Sequence, residues 1–373
     1  MRVENLMNFR IFGFKSLRGF YRWRKTVREN LFHAKGMPLG QRLWAVRNGF
    51  SAEIVKLYGI EELKAHKKDY LSTKEYYKLH PLNNVYTFWI DDKLTTKYVF
   101  SKFNEYLPKY YFHIEGSEIQ RCGDCKKPYP TTPEGMLECL DDCGLLALKR
   151  IVGSYGAGFY RVEKKDGSYT VNGKTASRAE VLKLFAGLRN YLVMECIQNH
   201  RVLRKVWPNA LNTMRVLISN INGEITVLGA FIRFGTKESG GVDNAAAGGF
   251  EVTIDENTGH TQWGFTKHSD ILRENMMTHP DSGVSVDFQI PYWDEIISKL
   301  KEITAEFPQL RFLGYDIAVE DDSFKIIEIN SLSGLVALQA KHPFCADPKT
   351  RKVFEQFGLK RKHKTADGGK KSV

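Results

Sequence analysis

Long apolar runs are missing from this sequence. No stretch reaches the ~18 consecutive apolar residues of a membrane-spanning helix, so no span is expected. The first twenty residues, MRVENLMNFRIFGFKSLRGF, lack an apolar core followed by small residues, so no secretory signal is expected either. Cysteine is sparse, six in 373 residues with four of them clustered, which excludes a disulfide-stapled scaffold. A reducing cytoplasm is the expected compartment. Acidic residues are in deficit too: 43 Asp and Glu stand against 55 Lys and Arg, a formal net charge of +12. With 42% hydrophobic and 26% charged residues, the composition is otherwise that of a globular protein. The length suits two or three domains of ~100–200 residues.

The positive excess is concentrated. Arg10, Lys15, Arg18, Arg22, Arg24, Lys25, Arg28 and Lys35 face a single acid, Glu29, and the chain ends LKRKHKTADGGKKSV. Such blocks suit an anionic partner: nucleic acid, an anionic membrane surface or a phosphorylated substrate. They serve equally as a solvated helix and a frayed tail. Phe14, Leu17, Tyr21 and Leu31 recur at near-helical spacing among the bases. Core packing is the commoner use of such a stripe, so a helix packed on its own domain is expected, with a membrane-surface helix as the alternative.

Four regions follow from the pattern. Residues 1–111 read as helical, with SAEIVKLYGIEELKAHKKDYL starting at Ser51 and TKYVFSKFNEYL following Asp91, Asp92 and Lys93. Residues 112–195 alternate short β-like runs with turns and one helix, RAEVLKLFAGLRN, and Asp166–Gly167 signals a hairpin. Residues 196–345 hold a second hairpin centred on Asn222–Gly223, the helix DEIISKLKEITAEF, and the strands GYDIAVE and FKIIEIN. Residues 346–373 are left for a C-terminal helix and basic tail.

The sharpest local signal is GYDIAVEDDSFKIIEIN. With a turn at Asp321–Asp322–Ser323 and Glu320 paired to Phe324, Asp316 faces Glu328 directly, and Asn330 lies two residues along on the same face. Tyr315, Ile317, Val319, Ile327 and Ile329 then form the opposite, core-facing side. Carboxylates directly opposed across a sheet repel, at Cβ separations of ~4.5–5.5 Å. Two carboxylates and an amide oxygen therefore ask for a cation, and hard oxygen donors suit Mg²⁺. The alternative is a solvated acidic hairpin.

Other candidates are individually weaker. LALKRIVGSYGAGF sets Lys149 before Gly153, Ser154, Gly156 and Gly158, where a glycine-rich backbone can cradle phosphate or simply turn. Lys93, near Lys97, is a second basic candidate. Glu195 interrupts the apolar run YLVMECI, either at a wet edge or held for a ligand. If the Asn222–Gly223 hairpin pairs without interruption, Arg233 opposes Asn212 and can bind phosphate, while Arg215 opposes Ala230 and points away unless a bulge re-aims it. GGVDNAAAGGF, with Asp243, Asn244, Gly248 and Gly249, is either a substrate loop or a flexible turn. Cys122, Cys125, Cys139 and Cys143 stand close to zinc-ribbon spacing, and either hold structural Zn²⁺ or pack as thiols.

From Asp91 to Phe344, these pieces in this order resemble the ATP-grasp superfamily, and most closely its sugar-transfer-associated branch. The motifs are DDKLTTK, LALKRIVGSYGAGF, YLVMECIQNH, LNTMRVLI, GAFIRFG, VDNAAAGGF, HPDSGVSVDFQIPYWDEI and LGYDIAVEDDSFKIIEINSLSG. The resemblance implies an α+β ATP-grasp fold: a helical N-terminal region (1–111), a central lid subdomain (112–195) and a C-terminal core (196–345). It implies that Lys93 and Lys149 contact ATP phosphates under a lid loop of Gly153, Ser154, Gly156 and Gly158. Glu195 would line the adenine–ribose pocket, and Asp316, Glu328 and Asn330 would hold Mg²⁺, as two ions. Arg215, Arg233 and Asn244 would flank the transferred phosphate or its acceptor. The cysteine cluster and the basic N-terminus are outside the resemblance.

The activity so implied is Mg-ATP-dependent ligation of a carboxylate to an amine through an acyl phosphate. The branch implies bacterial cell-surface polysaccharide modification, with an amino acid joined to a sugar acid. The same site suits a phosphotransferase acting on a sugar. A basic binding module at the inner face of a membrane is a third reading, with nucleic acid its less favoured partner.

Overall fold

A computed structural model describes residues 12–151, 158–269 and 275–361. Gly153, Ser154 and Gly156 and the tail beyond residue 361 lie outside the described residues.

The N-terminal region is helical, as expected, but in shorter pieces. Ser51 caps Ala52–Tyr58 by accepting from the Ile54 amide, and Gly59, at φ +76°, separates it from Ile60–His66. A capping box between Ser72 and Glu75 starts Thr73–Leu79. Lys93 opens the helix Lys93–Val99, which Asp92 caps by accepting from the Thr95 amide.

The first helix, Leu17–Arg28, corrects the expected packing. Its buried residues are Gly19, Trp23 and Thr26, whereas Leu17 and Tyr21 are 60% and 69% exposed. The helix therefore packs on its own domain, but not through the stripe of Leu17 and Tyr21.

Two antiparallel sheets follow. The first has seven strands: β1 Tyr110–Glu115, β2 Glu118–Arg121, β3 Leu145–Arg150, β4 Tyr160–Lys165, β5 Ser168–Val171, β6 Lys174–Ala176 and β7 Tyr191–Glu195. They run in the order β2-β1-β7-β3-β4-β5-β6. Asp166 and Gly167, at φ +50° and +78°, close the β4–β5 hairpin with Lys165 opposite Ser168, the mirror-image turn that Asp-Gly favours. Helices Pro133–Cys143 and Arg178–Ala186 contribute Met136, Leu140, Val181 and Phe185 to the core against Leu146, Leu148 and Val193.

The second sheet has six strands: β8 Met214–Ile221, β9 Glu224–Phe234, β10 Phe250–Ile254, β11 Thr261–Thr266, β12 Phe312–Val319 and β13 Phe324–Asn330. Their order is β11-β10-β9-β8-β12-β13. Both faces are covered. One carries Val216, Ile218, Ile232, Tyr315 and Ile317 against Ile296, Leu300 and Ile303 of helix Trp293–Glu306. The other carries Leu217, Phe231 and Phe312 against residues of the N-terminal helices and Phe354 of helix Pro348–Gln356.

Asn83 ties the helical region to this sheet. Its buried side chain donates to Phe312 O at 2.7 Å and accepts from the amides of Arg311 and Phe312 at 2.7 and 2.8 Å. Asn83→Ala would leave three buried backbone groups without partners, at ~1–3 kcal/mol for each group left unsatisfied. We expect a lower urea midpoint at unchanged slope, with a loss of about 3 kcal/mol.

Candidate active site

The expected pairing of Asp316 with Glu328 is present, and it is reached through a bulge. Val319 pairs with Phe324, so the loop is Glu320–Ser323, one residue longer than the expected turn. The register then shifts between Asp316 and Ile317: Ile317 faces Ile326, yet Asp316 faces Glu328. Ile327 is the extra residue, so Ile326 takes the core position expected of Ile327.

A second bulge corrects the arginines. Ile218 pairs with Val227 but Leu217 with Gly229, leaving Leu228 as the extra residue. Arg215 therefore opposes Phe231 rather than Ala230, and the Arg233 amide bonds to Thr213 O at 2.9 Å. Thr213, Arg215 and Arg233 thus share one face of the sheet, because side chains two apart point the same way. Arg215 also pairs with Asp316 across β8 and β12, and Glu251 with Arg233 across β10 and β9.

These side chains form one buried network. Arg215 grips Asp316 bidentately, with Nε on Oδ1 and Nη2 on Oδ2, the latter at 2.8 Å. Arg233 Nη2 lies 3.3 Å from Oδ2, and Asn330 Nδ2 donates to the same oxygen at 3.3 Å. Oδ1 thus meets one donor and Oδ2 three, two guanidinium groups and an amide in all. The cation that answers Asp316 here is guanidinium. Burial alone would raise the Asp316 carboxyl, but the two arginines overcome it and hold it down at about 2. Asp243 accepts from the Thr213 amide and hydroxyl at 2.9 and 2.5 Å and lies 3.5 Å from Arg233 Nε. Burial pushes the Glu251 carboxyl up to about 7, against the opposing pull of Arg233.

Around this network stand the other candidates. Lys93 Nζ lies 3.5 Å from Glu328 Oε1. The side chain of Lys149, on β3 of the other sheet, makes no hydrogen bond or ion pair among the described residues. Burial lowers its pKa, with Glu328 opposing the fall and Lys93 adding to it. Lysines from the N-terminal region and the first sheet thus converge on a carboxylate of the second. Lys97 is committed elsewhere, 2.7 Å from Asp124. Glu195 is held at the end of β7, accepting from the Lys109 amide at 3.1 Å. Asn244 Oδ1 caps the short turn Ala245–Ala247 through the Ala246 amide at 2.8 Å. Gly158 has φ +77°.

A bound phosphate and a hard cation fit these residues. The buried Arg233 Nε has no hydrogen-bond acceptor among the described residues, an orphan donor that an anionic oxygen would satisfy. Glu328 and Asn330 offer hard oxygens for Mg²⁺. Asp316 Oδ1, which meets only the Arg215 Nε, is a third oxygen on the same face. The cysteines fit less well than their spacing suggested. Cys139 is buried and Cys125 donates to Tyr111 O at 3.0 Å, and all six are free thiols. No group of three or more His, Cys, Asp or Glu among the described residues is arranged to hold a metal, so zinc at Cys122, Cys125, Cys139 and Cys143 is not supported.

Thr213 and Glu251 escaped the sequence reading, and Asp243 was visible only as part of a loop. Thr213 stands two residues before Arg215, so strand periodicity already put them on one face. Glu251 is a lone acid in the apolar run FEVTI, the signal that had marked Glu195.

Two sheets, with lysines reaching from one side toward carboxylates on the other, are the architecture of an ATP-grasp protein. The chain belongs to the sugar-transfer associated ATP-grasp family, which matches residues 72–353. No curated protein matches it. Among solved structures it is similar to the ATP-grasp ligase PsnB complexed with its minimal precursor, with a TM-score of 0.40 and 13% identity over 74% of this chain and 63% of that one. It is also similar to D-alanyl-alanine synthetase A from Vibrio cholerae O1 biovar eltor, with a TM-score of 0.40 and 10% identity over 72% and 64% of the two chains. An L-amino acid ligase from Bacillus licheniformis gives 0.37 and 10%, over 81% and 54%. The chain thus spans less than two thirds of the length of each. These likenesses are distant, and the family assignment rests on the match over residues 72–353.

The network makes two predictions about pH. Asp316 is held at about 2, below its ordinary 3.8, so its pairing stabilises the fold above the ordinary value and is lost as pH falls through about 2. Asp316→Asn should cost ~3–5 kcal/mol near neutrality, because two buried guanidinium groups lose their counter-charge; urea melts at neutral and acid pH measure both effects. Glu251 has the opposite sign. Its carboxyl is raised from 4.5 to about 7, so it favours the fold below 4.5 and that contribution is lost as pH rises through 7. Glu251→Gln should flatten the stability profile across that window.

Proposed function

We propose that this protein is a Mg-ATP-dependent carboxylate–amine ligase. The observation that carries the reading is the meeting of Lys93, Lys149 and Glu328 beside the Arg215–Asp316–Arg233 network. In this reading Lys93 and Lys149 bind ATP phosphates beneath the loop of Gly153, Ser154, Gly156 and Gly158. Glu195 lines the nucleotide pocket. Asp316, Glu328 and Asn330 hold magnesium, with two ions proposed. Magnesium, when bound there, would offset charge on the phosphates.

The chemistry balances in two steps. A substrate carboxylate oxygen attacks the γ-phosphorus, the bond from that phosphorus to the bridging oxygen breaks, and ADP leaves. The amine then attacks the acyl carbon, the bond from carbon to the phosphate oxygen breaks, inorganic phosphate leaves, and an amine proton is lost to solvent. Arg233, with its orphan Nε, and Arg215 offset charge on the transferring group, and Asn244 flanks the acceptor. Asp316 sets both guanidinium groups in position, so their geometry is established before substrate arrives. Small-molecule substrates, an amino acid and a sugar acid, follow from the sugar-transfer association of the family, as does a cytoplasmic role in cell-surface polysaccharide modification.

A magnesium-dependent ADP-release screen across amino acids and uronic acids tests this. Hydroxylamine should trap a hydroxamate in the presence of ATP and the correct acid. A stable phosphorylated product formed with no amine would instead make the protein a phosphotransferase. Glu328→Gln should lower ATP turnover by at least ~100-fold with thermal stability nearly unchanged; turnover at the unaltered rate would remove Glu328 from the site.

A further inference from the structure

We propose that the outer face of the first two helices docks the protein on an anionic lipid bilayer. Helix Leu17–Arg28 runs directly into the π-helical turn Glu29–His33, and helix Leu39–Asn48 follows. The inner face of the first, Gly19, Trp23, Thr26 and Asn30, is buried. Asn30 is fixed there, donating to Phe50 O at 2.9 Å and accepting from the Ala52 amide at 2.7 Å. Its outer face is a stripe at helical spacing of Leu17, Tyr21, Arg24, Lys25, Arg28 and Phe32, all exposed.

Two features of this face are unusual for a surface with no partner. Ten large hydrophobic side chains are strongly exposed among the described residues, and six of them fall between Phe12 and Leu43. Leu39 and Leu43, 64% and 53% exposed, continue the apolar series one turn apart on the second helix. The charge is equally concentrated. Residues 12–47 hold nine Lys and Arg against the single acid Glu29, a formal +8 of the chain's +12. Apolar side chains interleaved with bases along a helix lying flat on the body suit the headgroup region. There the rings enter the acyl boundary and the long basic side chains reach anionic headgroups.

The charge selects the occupant. A second copy of the chain meeting this face symmetrically would set Arg24, Lys25 and Arg28 against the same basic residues. Nucleic acid would answer the charge but leave Leu17, Leu39 and Leu43 without purpose, since such interfaces are more polar. An anionic bilayer answers both. The proposal is independent of the ligase reading, because docking needs no ATP.

The test is sedimentation of the full chain with vesicles of phosphatidylcholine alone or mixed with phosphatidylglycerol, without nucleotide. Binding to the anionic vesicles, weakened by salt, is expected. The triple variant Arg24→Gln, Lys25→Gln, Arg28→Gln should lose ~100-fold in partition. Tyr21→Ser, Phe32→Ser, Leu43→Ser should lose at least ~10-fold, including at high salt, where charge is screened. Circular dichroism and ADP release should match the unaltered protein in both. Failure of the unaltered chain to bind anionic vesicles would overturn the proposal. So would an apolar variant that binds as tightly as the original, preferential binding to RNA or DNA, or self-association through this face without lipid binding.

Discussion

One buried carboxylate organises this molecule. Asp316 lies in a strand covered on both faces, and an ion there is tolerated only with its charge and lone pairs answered. Arg215, Arg233 and Asn330 answer them. The consequence spreads sideways through the sheet. Asp316 faces Glu328 on one side and Arg215 on the other, while Arg233 faces Glu251 on the neighbouring strand. Each arginine therefore has an acid directly across from it on a neighbouring strand, Asp316 for Arg215 and Glu251 for Arg233.

That arrangement depends on two bulges. An uninterrupted β9 would put Arg233 on the same face as Val227, the side packed on helix Trp293–Glu306, away from Arg215 and Asp316. The extra residue Leu228 turns it to the other side. Ile327 does the equivalent work on β13, restoring the Asp316–Glu328 pairing after a longer loop. Both extra residues are apolar, so each bulge moves a neighbouring charge to the correct face without itself burying one.

The N-terminal helices have two roles. Their inner residues close the face of the sheet that carries the arginine network, so they help to keep that network dry, and Asn83 anchors them to the start of β12. Their outer residues keep the charge and the apolar side chains that the core did not need. Helix Lys93–Val99 then delivers Lys93 to Glu328, and β3 delivers Lys149 from the other sheet. The two lysines and the acidic hairpin thus belong to parts of the chain far apart in sequence.

Much of this was legible in the residues. Asp-Gly and Asn-Gly announced their hairpins because positive φ at both central positions suits few other pairs, and Asn222 and Gly223 adopt φ +54° and +85°. The order of motifs from Asp91 to Phe344 announced the family. The opposed pair Asp316 and Glu328 followed from strand periodicity, although two offsetting errors, in loop length and in the bulge, cancelled on the way. The arginines, the true partners of Asp316 and the exposed side of the first helix were decided by tertiary structure alone. β8 and β12 are buried along their whole lengths, so their apolar runs carry no alternation from which a register or a bulge can be read. A helical stripe of Leu17 and Tyr21 likewise records only that two faces differ. Which of them meets the core is set by what packs against it, here Gly19, Trp23 and Thr26.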